Sequence, residues 1–410
     1  MKKSTILLAV VLSSAAVIGQ ITKKVCFLGN SYTYVNNLPA LIDSVANHDG
    51  RDLIKDQNTP GGHSLDAHST NATSLAKISS NTWDYVVLQD QSQLPSFPYS
   101  QTSVSVYPKA EILCDSIRSA NECAVPLFYN TWGREIGDSQ WDSINTFSKM
   151  NNRLFIAYDY MAESNSGKLS PVGIGFRQVY DDASTIVTNG DLYSSDGSHP
   201  SMFGSYLAAC IFYNVIFETT SVGNTYLPSG VSSGQAAYLQ NVANHVVFDV
   251  DSVSIDYTNP IANFLSTING SNVDFSNTSL HAYDYSWDFG DGGSSLLKNP
   301  SHAYSQYGNY TVVLTATYCG KQDQYSFDIV IGDLGDNEIK DELFNIYPNP
   351  SKGTVTIQSN NKQSTINIYN LQGQRLKTIV PQSNFVNINL ETGIYFIQSG
   401  DTVKKVIISK

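Results

Sequence analysis

Across residues 21–250, short apolar runs alternate with stretches of helical spacing, and this alternation limits the fold more than any other feature of the chain. The strand candidates are Lys24–Leu28, Tyr85–Leu88, Val125–Tyr129 and a looser run near Ser170–Val172. Between them, apolar residues recur at helical intervals over Pro39–Asn47, Tyr107–Ala120, Ile144–Glu163, Gly175–Thr188 and Gly204–Phe217. Such alternation predicts an α/β domain of three layers, with a parallel sheet covered by helices on both faces. The first strand run, Val25-Cys26-Phe27-Leu28, breaks at Gly29-Asn30-Ser31, and Leu38, Leu41, Ile42 and Val45 then mark a helix face. A strand, a tight turn bearing a hydroxyl and a helix together expose a nucleophile at the carboxyl edge of a parallel sheet. The same pattern also fits an ordinary connection in which Ser31 caps the helix.

The pattern changes after His245. Asn272–Ser276, Asp284–Phe289, Tyr310–Tyr318 and Tyr325–Ile331 read as short alternating strands, which predicts a small β-sandwich over residues 258–333. Residues 334–342 read as a polar linker, and 343–410 as a second all-β sandwich with turns at Asn370-Leu371-Gln372-Gly373 and Glu391-Thr392-Gly393. At 410 residues the chain is too long for one core, in keeping with this division.

Residues 1–20 read as a secretory signal. Lys2 and Lys3 supply the charge, and Ile6 to Ile18 form an apolar run shorter than the roughly 20 residues of a membrane span. No later stretch is long and apolar enough to span, so a soluble exported protein is expected. The net charge is −12, and the segment from Ser351 onward holds seven Lys or Arg against two Asp or Glu, so the acidic excess lies in the body. An acidic body argues against nucleic acid and anionic membranes as partners. Of five cysteines, Cys26 and Cys210 sit in apolar runs and read as buried thiols. Cys114 and Cys123 are close enough to pair, but Cys114 falls mid-helix. No Cys/His spacing suggests a metal, and Asp90 has no partner cluster that would make it a ligand.

A serine nucleophile needs a base, and the base needs an orienting acceptor. Of the five histidines in the first domain (His48, His63, His68, His199 and His245), one lies in Asp196-Gly197-Ser198-His199-Pro200-Ser201, immediately before the last helix read in the domain. Asp196 and His199 share one short loop, so Asp196 can accept from Nδ1 and leave Nε2 free for Ser31. The elbow Gly-x-Ser-x-Gly of the α/β-hydrolases is missing.

Gly29-Asn30-Ser31 with Asp196-x-x-His199 resembles the SGNH (GDSL-like) hydrolase superfamily over roughly residues 21–217. Asn30 stands where the first block of that family usually has Asp. The resemblance implies an oxyanion hole built from the Ser31 N–H, a glycine N–H and an Asn side chain. Pro60-Gly61-Gly62-His63-Ser64-Leu65 fits the glycine block, with Gly62 as donor. The expected Asn is absent; Gln89-Asp90-Gln91-Ser92-Gln93 follows the strand instead, and Gln91 or Gln93 carries the same amide on a longer stem. His63 and His68 read as solvated loop histidines, with His63 also a candidate to touch substrate. Trp132 reads either as a wall of the substrate cleft or as core. The resemblance implies ester hydrolysis through an acyl-enzyme, with no metal or other cofactor.

Two further resemblances cover the rest. Tyr285-Ser286-Trp287-Asp288-Phe289-Gly290-Asp291-Gly292, His302-Ala303-Tyr304 and Gly308-Asn309-Tyr310 resemble a PKD domain, whose acidic and glycine residues read as turn chemistry. Ile346-Tyr347-Pro348-Asn349-Pro350, Ile368-Tyr369-Asn370-Leu371-Gln372-Gly373 and Gly393-Ile394-Tyr395-Phe396 resemble a type IX secretion C-terminal sorting domain. That implies the type IX secretion machinery as partner, passage through the periplasm of a Bacteroidota-type Gram-negative cell, and secretion or anchoring at its surface. Together the resemblances imply a secreted serine esterase acting on O-acyl, chiefly O-acetyl, groups of carbohydrates. The alternatives are a lipid or general carboxylesterase, and a noncatalytic adhesin that binds glycans through the PKD-like module.

Overall fold

A computed structural model of the chain describes residues 20–183, 186–249, 254–332, 344–349, 351–359, 365–370, 375–381, 383–399 and 402–408. Residues 1–19 of the expected signal (1–20), the expected linker 334–342 and the turn residues 371–373 lie outside these.

The first domain is a five-stranded parallel sheet in the order β2-β1-β3-β4-β5. The strands are β1 (Thr22–Leu28), β2 (Asp52–Asn58), β3 (Tyr85–Leu88), β4 (Val125–Tyr129) and β5 (Lys168–Ser170). The helices are α1 (Ser31–Tyr34), α2 (Leu38–His48), α3 (Leu65–Thr70), α4 (Ala72–Ile78), α5 (Tyr99–Ser105), α6 (Tyr107–Ala120), α7 (Phe147–Ser164), α8 (Val172–Asp181), α9 (Met202–Phe217) and α10 (Ser233–Asn244). Val25 and Phe27 of β1 face a core built with α2, α8, α9 and α10. Cys26 and Leu28 face the opposite core, built with α6 and α7. This is the expected three-layer arrangement. From Gly204 to Phe217 every residue of α9 is buried, which is why its sequence is apolar all round.

Several elements differ from the sequence reading, among them α3, α4, α5 and α10, which were not expected. β2, Asp-Leu-Ile-Lys-Asp-Gln-Asn, shows little apolar signal because it is an edge strand with only Leu53 fully buried. The looser run at 170–172 resolves into β5 ending at Ser170 and α8 beginning at Val172. The order places a switch point between β1 and β3, whose connections leave in opposite directions. Ligands of open α/β sheets bind in the crevice at such a point.

Residues 254–258 extend the first domain. Leu169 N–H donates to the Ile255 carbonyl at 2.8 Å, and Tyr257 N–H to the Gly167 carbonyl at 2.9 Å, so this stretch covers the β5 edge. Two sheets follow, β10-β7-β6 and β12-β11-β8-β9. Their strands are β6 (Phe264–Asn269), β7 (Asn272–Asn277), β8 (Asp284–Asp288), β9 (Ser294–Ser295), β10 (Ser301–Ala303), β11 (Gly308–Tyr318) and β12 (Lys321–Ile331). Phe264, Phe275, Trp287 and Phe289 fill the space between them. Asp288 and Asp291 accept from the N–H groups of Gly290 and Gly293, the turn role expected of them.

The cysteines bond as no sequence spacing indicated, and Cys114 stays unpaired in keeping with its place mid-helix. Cys123, just past α6, is bonded to Cys319 in the β11–β12 turn, whereas Cys114 lies mid-helix as a free, fully buried thiol. Cys26 and Cys210 are buried thiols as expected, and burial pushes all three up to about 12.

A separate compact unit holds the C-terminal strands: β13 (Phe344–Tyr347), β14 (Thr354–Ser359), β15 (Ile366–Asn370), β16 (Arg375–Ile379), β17 (Phe385–Asn389), β18 (Gly393–Ser399) and β19 (Thr402–Ile408). They form sheets β13-β14-β17 and β16-β15-β18-β19 around Val355, Ile357, Ile368, Ile397 and Val406.

Candidate active site

β1 ends against Gly29, where a side chain would meet Gln89 Oε1 and Thr33 Oγ1 at 2.5 Å. Glycine is therefore dictated by contact. Asn30 then caps α1, its Oδ1 accepting from the Tyr32 N–H, so Ser31 stands at the first position of that helix. Across the sheet edge the Asp196–His199 loop closes on itself. Gly197 supplies a positive φ of 64°, the Gly197 N–H donates to the Ser194 carbonyl at 2.9 Å, and the Ser194 N–H to the His199 carbonyl at 2.8 Å. Ser201 caps α9 immediately afterwards.

The structure brings Ser31, His199 and Asp196 together. Ser31 Oγ lies 2.8 Å from His199 Nε2, and His199 Nδ1 lies 2.5 Å from Asp196 Oδ2. Asp196 Oδ1 also accepts the Ser198 and His199 backbone N–H groups, each at 2.9 Å. What burial Asp196 has pushes its carboxyl up. The ring and the two backbone donors outweigh that and hold it below the usual carboxylate range. An ionised Asp196 fixes the proton on Nδ1 and leaves Nε2 as acceptor for the serine hydroxyl. The His199 and Asp196 side chains are 35% and 49% exposed, so the relay opens directly to solvent.

Sequence reasoning missed what holds this loop. The Tyr32 hydroxyl pairs with Ser198 Oγ at 2.7 Å, the Trp132 indole N–H donates to the Ser198 carbonyl at 3.1 Å, and the Glu135 N–H donates to the Gly197 carbonyl at 2.9 Å. Trp132 is no cleft wall. It is fully buried, stacked between Tyr32 at 4.7 Å and Phe176 at 4.1 Å, because an indole at the end of β4 has a complete aromatic column to join.

Among the described residues neither the Ser31 N–H nor the Gly62 N–H has an acceptor within the protein. Gly62 has φ +71° with open space around it, so the backbone conformation demands glycine there. The two candidate glutamines differ. Gln93 gives its amide to the Asp138 carboxylate, which also takes Arg134 Nη1 at 2.6 Å, so Gln93 is withdrawn as a donor toward Ser31. Gln91 uses its side-chain carbonyl to cap the Gln93 N–H at 2.7 Å, while its amide has only a 3.5 Å contact with Ser92 Oγ. The neighbouring Gln89 is fully buried, its Oε1 accepting from the Asn30 N–H at 2.8 Å and the Thr33 hydroxyl at 3.0 Å.

His68 is not solvated. It is fully buried, with Nε2 2.9 Å from the Gly29 carbonyl and Nδ1 2.8 Å from Ser74 Oγ. Burial, partly offset by the Gly29 bond, lowers it to about 4, so it is neutral and donates from Nε2. His63 is half-buried with its ring 5.2 Å from that of His68. Asp90, fully buried, accepts the Leu65 N–H at 3.0 Å and the Gln91 N–H at 2.7 Å; desolvation outweighs both bonds and raises it to about 7. Among the described residues no group of acidic, His or Cys side chains could hold a metal, and no helix is long and apolar enough to cross a membrane.

Residues 259–331 match the family model of the PKD domain, and residues 345–409 that of the secretion system C-terminal sorting domain. No curated protein matches the chain. Among solved structures, a DUF4886 family protein from Bacteroides uniformis is 21% identical, covering 57% of this chain and 98% of its own, with TM-score 0.48. A proposed SGNH hydrolase from Slackia heliotrinireducens is 25% identical, covering 47% and 98%, with TM-score 0.39. The PKD1 domain of Vibrio anguillarum Epp is 33% identical, covering 18% and 93%, with TM-score 0.18. The chain carries an α/β domain, a PKD domain and a secretion-system C-terminal sorting domain, in that order.

Proposed function

We propose that the protein is an exported serine esterase that removes O-acyl, chiefly O-acetyl, groups from carbohydrates. The observation that carries this reading is the continuous relay from Ser31 Oγ through His199 to Asp196, at 2.8 and 2.5 Å. Ser31 attacks the ester carbonyl while His199 Nε2 takes its proton. The tetrahedral oxyanion is met by the free Ser31 and Gly62 N–H groups and the Gln91 amide. His199 then protonates the departing alcohol, and water repeats the cycle on the acyl-enzyme. Asp196 stabilises the imidazolium and keeps its proton on Nδ1. Each oxyanion donor is worth about 10²–10³ in rate in a comparable acyl-transfer site.

The substrate class is supported by three features. The relay is solvent-open, so an ester on a polymer can reach it. Tyr34 presents a 45% exposed ring one helical turn from Ser31, with its hydroxyl beside Gly61, where a sugar can stack. The sorting domain carries a cargo outward, towards extracellular polymers.

The test is turnover of p-nitrophenyl acetate by the mature chain against Ser31→Ala. Equal rates would remove the catalytic reading and leave the adhesin. Faster release of acetate from acetylated xylan or pectin than from long-chain esters is expected, and the opposite ranking would assign a lipid or general carboxylesterase.

A further inference from the structure

Asn30 sits next to the nucleophile and is 2% exposed, yet the proposed chemistry gives it no part. Its side chain uses both of its donors and one acceptor position. Nδ2 donates to the His63 carbonyl at 2.8 Å and to the Asp90 carbonyl at 3.3 Å, while Oδ1 accepts the Tyr32 N–H at 3.1 Å. Its backbone N–H reaches Gln89 Oε1 at 2.8 Å. His63 directly follows Gly62, Asp90 directly precedes Gln91, and Asn30 directly precedes Ser31. The three residues proposed to supply oxyanion donors are thus each one peptide away from a group that Asn30 holds. These donors come from three separate loops, after β1, β2 and β3, that share no other single side chain in these bonds.

Two carbonyl oxygens converging on one side chain require an NH₂ group. An ionised carboxylate of the same shape would accept nothing from them and would set oxygen against oxygen, beside the buried Asp90. We propose that Asn30 is a positioning residue that sets the spacing of the oxyanion donors through its amide, so that this chain requires Asn rather than Asp at the position. The inference rests on the esterase reading above and deepens it. Asn30 touches no reacting atom; it acts through Gly62, Gln91 and Ser31, whose donors must sit about 2.7–3.1 Å from the developing oxyanion to count.

The experiment compares the mature chain with Asn30→Asp and Asn30→Ala, using p-nitrophenyl acetate for kcat and KM. Labelling of Ser31 by a fluorophosphonate, whose phosphoryl oxygen needs the same donors, is a second readout. At pH 8 Asn30→Asp is expected to lose about 100-fold in kcat, the worth of one donor, with KM within threefold and with labelling slowed in parallel. Its activity relative to the parent should rise as the pH is lowered to 5, because a protonated acid regains one donor. Protonation would also restore folding lost to a buried charge, so circular dichroism is recorded at each pH, and the recovery must appear at a constant folded fraction. If Asn30→Asp does not fold, Asn30→Ala, which buries no charge, carries the test, with a kcat loss of at least tenfold and KM again held. A folded variant with kcat within threefold of the parent, or a loss confined to KM, overturns the proposal. An inert parent that also fails to label would instead sink the esterase reading, and this inference with it.

Discussion

The Cys123–Cys319 bridge offers the sharpest quantitative test of how the first two domains work together. The two cysteines are 196 residues apart in sequence, and the bridge fastens the end of α6 to the β11–β12 turn. Closing a loop of that length removes about 5 kcal/mol of chain entropy from the unfolded ensemble at 25 °C. Neighbouring contacts keep the native junction formed without it: the Tyr318 hydroxyl donates to the Glu122 carbonyl at 3.3 Å, and the Arg118 guanidinium lies 5.4 Å from the Tyr283 ring centre. The loss therefore falls mainly on the unfolded side. From residue 21 onward the first domain and the PKD module form one compact unit of about 310 residues, for which the unfolding entropy is about 0.65 kcal/mol/K. Replacing both cysteines by serine should lower its Tm by about 8 °C in scanning calorimetry of the mature chain. The parent in reductant should fall to the same midpoint. A shift below about 2 °C would refute the reasoning, since the bridge would then restrain nothing that the folded junction does not already restrain.

Three other changes follow from the site. Asp196→Asn should lower kcat about 10³–10⁴-fold, because an amide neither fixes the tautomer nor balances the imidazolium, while Tm barely moves at so exposed a position; steady-state kinetics with a melting curve checks both. Gly62→Ala meets no atom within 4 Å but must hold φ near +71°, a strain of about 1–2 kcal/mol; kcat should fall with KM little changed, and an unaltered kcat would show that this N–H does not serve the oxyanion. Asp90 titrates near 7 in the fold against 3.8 ordinarily, chiefly because burial disfavours its charge. The native state therefore binds a proton that the unfolded state releases, so Asp90's contribution is full below about pH 4 and is lost as pH rises through 7. Asp90→Asn abolishes that slope. Its stability relative to the parent, from urea unfolding, should climb by up to about 4 kcal/mol between pH 4 and 8, and a flat difference would contradict the assignment. Comparing the two proteins cancels the opposing contribution of His68, which burial lowers to about 4 and whose share is lost as pH falls from 6.5 towards that value.

Strongly patterned segments were legible. Tyr85–Leu88, Val125–Tyr129 and Tyr107–Ala120 are observed at the boundaries expected, because each buries a face or a whole strand and its composition records that burial. Weakly patterned ones were not. β2 is a polar edge strand, and α3, α4 and α5 are short, so packing rather than periodicity sets them. At the site, Ser31, Asp196 and His199 stood out because a nucleophile, its base and an orienting acid need those residue types in short motifs. His68 was expected in solvent and is buried, because a loop residue's burial depends on what folds over it; the same distance in sequence left Trp132 open between cleft and core, and Gln91 and Gln93 undivided.

The sequence by itself determined the α/β sheet, the β-sandwich modules behind it and the two motifs that meet as the relay, since periodicity and short-range turn chemistry are local properties written residue by residue. Only the tertiary structure decided which cysteines bond, that Gln93 is tied to Asp138, and which groups the Asn30 amide holds. Each of these depends on groups brought together from distant parts of the chain, and no spacing along the sequence records their distances in space.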